Sequence, residues 1–128
     1  MTIEERAARA VELKAGCNCA QAVALAFADV LPLDEATLMK LAAGYGAGMG
    51  CMQATCGALI GAVMAAGSVT DGKGTPRTAR SILTSFQEKS GATICKDLKG
   101  IDTGTVLCPC TECVRNAVLA AGEALGLE

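Results

Sequence analysis

Between Leu41 and Thr70 the chain carries no charged residue, and a stretch of that length has two natural homes, a bilayer or a protein interior. Gly44, Gly46, Gly48 and Gly50 break its first half and Gln53 and Thr55 follow, which leaves Cys56 to Val69 as the one continuous apolar run. That run is shorter than the roughly 20 residues a helix needs to cross hydrocarbon, and it lacks flanking Lys/Arg anchors and interfacial Trp. A helix buried in a protein core is expected instead, with no membrane span. In a chain of 128 residues such a core belongs to one domain, residues 1–128.

Helices are expected elsewhere too. The chain holds 24 alanines, few β-branched runs and no alternating apolar/polar segment of useful length, a pattern that favours helix over strand. Thr2 with Glu5 predicts a capping box opening a helix to about Lys14, stopped by Gly16. Asn18 with Gln21 predicts the same device for a second helix, running to Leu31 and ended by Pro32. Asp34 caps a third, with Leu33 and Leu38 at the staple positions. The next spans Thr55 to Ala66, where Gly57, Gly61 and Ala65 share a face and let a neighbouring helix come close. Thr75 before Pro76 reads as an N-cap with proline at the first helical position, followed by the stripe Ala79, Ile82, Leu83 and Phe86. The last helix follows Pro109 and turns Val114, Ala117, Val118, Ala121 and Leu125 inward. The fold class is all-α, a compact single-domain bundle of five to six helices with cysteines at helix N-termini.

Glycine falls at every second position from Gly44 to Gly50, so the backbone there has room to lay N–H groups against an anion. No strand precedes the run and no Lys-Ser/Thr follows it as in a phosphate loop, and a close-packed or cofactor-facing turn is expected. Eleven Lys and Arg against thirteen Asp and Glu give a net charge of −2, and Phe27, Tyr45 and Phe86 are the only aromatic residues. Neither phosphate neutralisation nor base stacking has its residues, so no nucleic acid is expected as partner. Histidine is absent, which removes the commonest general base and the Cys/His zinc sites. The chemistry narrows to cysteine.

Eight cysteines make up about 6% of the chain, more than an intracellular protein needs and fewer than a small disulfide scaffold carries. Met1 to Lys14 is charged and helix-like, with no apolar secretory core, and a reducing cytoplasmic location is expected. Clustered cysteines there bind metal or do redox chemistry more often than they form structural bridges. Cys19 follows the cap Asn18, Cys56 follows Thr55, Cys95 falls just after Thr93, and Cys110 follows Cys108-Pro109. All four thus fall at helix starts, where unpaired N–H groups and the positive end of the dipole favour thiolate over thiol. Cys17, Cys51, Cys108 and Cys113 lie close to them in sequence. Cys110-Thr111-Glu112-Cys113 at a helix start suits a dithiol couple and equally two ligands of one iron–sulfur cluster, although the βαβ frame of a thioredoxin is missing. Taken singly, any of these cysteines also reads as a small buried hydrophobe.

The series Asn18-Cys19-Ala20-Gln21-Ala22-Val23, Gly44 to Gly50, Cys56-Gly57-Ala58-Leu59-Ile60-Gly61, Cys95 and a last cysteine shortly before Val114 resembles the C-GCAxxG-C-C family of redox-active proteins. The resemblance covers roughly Cys17 to Val118. It carries the family's four cysteines onto Cys19, Cys56, Cys95 and Cys110, with Cys113 competing for the fourth place, and it implies a small helical redox protein without supplying a substrate. Four further cysteines depart from the pattern and leave room for a larger cluster, two clusters, or a cluster beside a disulfide.

The leading expectation is an iron–sulfur protein, an electron carrier or accessory serving an unidentified redox partner protein. Cys19, Cys56, Cys95 and Cys110 are its thiolate ligands, and Cys17, Cys51, Cys108 and Cys113 are secondary candidates. All-sulfur ligation suits soft metals and iron–sulfur clusters over magnesium or calcium. A structural zinc held by four cysteines is the nearest alternative. From the enzyme class comes a thiol–disulfide oxidoreductase or sulfur-transfer protein, with Cys110 as nucleophile and Cys113 or Cys19 as its partner. The plainest alternative is a helical protein held by disulfides without a cofactor. So apolar a chain also suits a homodimer that shares or shields the site.

Overall fold

Thr2 and Glu5 cap each other at the start of α1 (Ile3–Leu13): the Thr2 hydroxyl accepts from the Glu5 amide at 3.1 Å, and the Glu5 carboxylate accepts from the Thr2 amide at 3.3 Å. The structure is a computed structural model describing residues 1–128. Asn18 and Gln21 make the same box at α2 (Cys19–Ala26), at 2.8 and 3.0 Å. Their amide groups also donate to the carbonyls of Ala43, at 3.1 Å, and Met39, at 2.9 Å. The residues that start α2 therefore tie it to α3 (Glu35–Ala42), which Asp34 opens by accepting from the Thr37 amide at 2.7 Å. Leu38 enters the core while Leu33, its expected staple partner, stays 43% exposed.

Four expectations need correction. The α2 helix stops at Ala26 and gives way to a 3-10 turn, Ala28–Val30, because tertiary donors claim the carbonyls there. The Arg6 guanidinium donates to Ala26 O at 2.7 Å and the Ser68 hydroxyl to Val30 O at 3.0 Å. The bundle has seven α-helices rather than five to six, and α6 (Cys95–Lys99) is a short segment of a single turn. The helix expected from Thr55 is α4 (Gly57–Val69), capped by Cys56 without a side-chain bond, because Thr55 is drawn into an antiparallel bridge with Ile94. Finally, Thr75 is the first residue of α5 (Thr75–Ser90) and not its cap. Gly74 takes that place at φ 66°, which frees the Thr75 hydroxyl to meet that of Thr70 at 2.6 Å.

The uncharged stretch resolves into a 3-10 turn at Ala43–Tyr45, an irregular, mostly left-handed turn at Gly48–Met52, and α4 at the centre of the bundle. Around α4 lie α2, α5 and α7 (Cys110–Leu125), with α1 against α2 and α7. No helix is long and apolar enough to cross a membrane. The small-residue face of α4 takes α2 in close contact: a Cβ on Gly61 would lie 2.9 Å from the Ala20 carbonyl oxygen and 3.0 Å from the Val23 Cβ. Gly61→Val is expected to cost about 1–3 kcal/mol by overpacking, which thermal denaturation reads as a fall of roughly 4–12 °C in Tm. An unchanged Tm would show that α2 can step aside.

Candidate functional site, a cavity lined by five cysteines

Cys19 is the first residue of α2, Cys56 caps α4, Cys95 opens α6 and Cys110 opens α7. All four line one cavity of about 170 Å³, together with Cys113, Lys14, Asn18, Ala47, Gly48, Gly57 and Lys99. Two backbone bonds set the starts of α4 and α6 side by side: the Cys56 amide donates to Thr93 O at 2.8 Å and the Cys95 amide to Ala54 O at 3.0 Å. From Ala47 the chain turns left-handed, with φ of 52° at Ala47, 59° at Gly48, 61° at Met49, 77° at Gly50 and 64° at Met52. This coil wraps over Cys95, and the close packing expected of the glycine run is present at Gly46, against Asn18, and at Gly48, but not at Gly44 or Gly50, where an added Cβ would have nothing within 4 Å. A Cβ on Gly48 would lie 2.6 Å from the Cys95 Cβ, and one on Gly57 would lie 2.6 Å from the Tyr45 carbonyl oxygen.

The electrostatics separate cysteines that the helix-start argument treats alike. Cys56 is held down at about 7, chiefly by a hydrogen bond with the Cys113 thiol and also by the Ala58 and Leu59 amides and the Lys99 charge, against the effect of burial. Cys113, the other half of that contact, is pushed up by it and by burial. Burial raises Cys19 to about 12, with the sulfurs of Cys110 and Cys56 adding to the rise, and burial likewise raises Cys95. The N-terminal dipole therefore does not make thiolates of all four, because removal from water and like charge oppose it and one ionised neighbour disfavours the next. Burial works against the charge on Lys99, yet its contact with Cys110 and the nearby sulfurs of Cys19 and Cys95 more than offset that and keep it protonated.

Three cysteines stay outside. Cys17 is half-buried and its thiol donates to Leu13 O at 3.2 Å. Cys51 is exposed on the Gly48–Met52 turn, and Cys108 is buried in the core, where it accepts from the Asn116 side chain at 3.7 Å. Both cysteines of the CxxC line the cavity, but Cys110 meets Lys99 while the Cys113 thiol donates to the Cys108 carbonyl at 3.5 Å. All eight thiols are free. Sequence reasoning passed over Lys99 and Lys14. Lys99 was open to inference, since it follows Cys95 by one helical turn and shares its face. Lys14 is the C-cap of α1, and only the packing of α1 brings it to the cavity.

Thiols from four helix starts, gathered with two lysines round one small cavity, define a class: a small all-α protein whose chemistry is that of clustered cysteines. The family described as "Putative redox-active protein (C_GCAxxG_C_C)" matches residues 17–124, and the chain belongs to it. No curated protein and no solved structure matches the chain.

Proposed function

We propose that the cavity holds an iron–sulfur cluster with Cys19, Cys56, Cys95 and Cys110 as ligands, and that the protein carries electrons. The observation that carries this reading is the convergence of the four helix-start cysteines on one cavity whose wall has no carboxylate. The donor set is chemically suited, being all sulfur. When bound, a cluster supplies one-electron transfer. The chain's part is to offer thiolates, with Cys56 the readiest to ionise, and to set the positive ends of α2, α4 and α7 and the charges of Lys14 and Lys99 against the negative charge that collects there.

Purification without oxygen followed by iron, zinc and acid-labile sulfide analysis tests the reading. Iron and sulfide in comparable amounts with visible absorption are expected. Stoichiometric zinc, or metal-free protein after anaerobic reconstitution, would overturn it. That Cys56, held down at about 7, shares the cavity with Cys113 favours a second reading, a thiol–disulfide protein in which Cys56 attacks and Cys113 resolves. A Cys56–Cys113 disulfide found by peptide mapping after mild oxidation, in protein that takes up no iron, would select it.

A further inference from the structure

We propose that Lys99 sets the reduction potential of the centre in the cavity, through its charge; the inference rests on the cluster reading above. Lys99 closes α6 one turn after Cys95, and its Nζ meets the Cys110 sulfur at the cavity wall. No carboxylate answers that charge. The protein's ion pairs use Arg6, Lys89, Lys96 and Arg115, and neither Asp nor Glu lines the cavity. A half-buried ammonium without a carboxylate is costly unless negative charge stands nearby, and the groups that share its cavity are the sulfurs of Cys110, Cys19, Cys56 and Cys95, which carry negative charge once they ligate a cluster.

A centre ligated by those sulfurs becomes more negative by one unit when it takes an electron from a reductant such as dithionite; no bond forms or breaks at Lys99. A fixed positive charge in contact with a ligand, partly shielded from water, favours the reduced state over the oxidised one. Lys96 stands on the same short helix but is partnered by Asp102 at 3.5 Å and does not line the cavity, so it serves as the control.

The test is a potentiometric titration, followed by visible absorption, of the whole chain purified without oxygen. Lys99→Met is expected to disfavour the reduced state at least tenfold, a fall of about 59 mV for a one-electron couple. Lys99→Arg, which keeps the charge, and Lys96→Met should both stay within threefold of wild type. A loaded Lys99→Met protein with the wild-type potential overturns the proposal, as does an equal fall in Lys96→Met. Should Lys99→Met fail to load while Lys99→Arg loads fully, the charge serves to assemble the centre rather than to set its potential, against the proposal. Failure of both to load would show that the lysine stem matters for packing alone, against the proposal. Wild-type protein that takes up no iron removes the cluster reading and this inference with it, and is recognised before any variant is compared.

Discussion

Cys56→Ser protein purified without oxygen is expected to be colourless and free of acid-labile sulfide, while Cys51→Ser keeps the wild-type iron content. Serine offers a hard oxygen where a soft sulfur is needed, and the backbone behind position 56 cannot shift to bring another ligand in. Gly57 is wedged against the Tyr45 carbonyl, Gly61 against α2, and the Cys56 amide is bonded to Thr93. Outer-shell changes at metal sites cost about 10–100-fold in affinity, and loss of this ligand should exceed that range. Cys51 is exposed on its turn and does not line the cavity, and Cys108→Ser should be equally mild for the centre. Equal loss of iron from Cys56→Ser and Cys51→Ser would mean that the ligand set reaches beyond the cavity. Full iron in Cys56→Ser would reject the four-cysteine assignment.

The largest loss of stability is expected at Arg6, far from any chemistry. This arginine is only 6% exposed; its guanidinium donates to Ala26 O at 2.7 Å, grips both Asp29 oxygens at 2.5 and 3.1 Å, and lies 4.9 Å above the Phe27 ring. It thus secures the end of α2, whose other end carries Cys19. Arg6→Met strands a buried carbonyl and removes charge-assisted bonds, at a cost of about 2–4 kcal/mol, or roughly 8–16 °C in Tm. Asp29→Asn should cost about 1 kcal/mol or less, since Asp29 is 56% exposed and water screens the pair. Similar losses from both variants would place the energy in the ion pair and not in the carbonyl bond. The pH dependence has a definite sign. The Arg6 hydrogen bonds and charge hold Asp29 below its ordinary value, so its contribution is complete above the unfolded value of about 4 and is lost as pH falls through the lower folded value. Acid titration of Tm should show that slope in wild type and lose it in Arg6→Met.

The amino-acid sequence by itself determined where α1, α2 and α3 begin, because Thr2–Glu5, Asn18–Gln21 and Asp34–Thr37 are bonds between residues three apart that need nothing from the rest of the chain. Since Cys19 follows one of these caps, its place at a helix start was readable too, as was that of Cys110 behind Pro109. Helix ends and charge states depended on groups brought from elsewhere. Ala26 closes α2 because Arg6 of α1 claims its carbonyl, and Thr55 leaves its expected cap to bridge Ile94, which in turn sets Cys56 beside Cys95. The union of the four sulfurs in one cavity, the entry of Cys113 and Lys14, and the contrast between Cys56, made easier to ionise, and Cys19, Cys95 and Cys113, made harder, were decided by tertiary structure. A cap is a local hydrogen bond, whereas the ionisation of a thiol is set by how much water is removed and which charges stand within a few ångströms, and only the packing of distant segments supplies either.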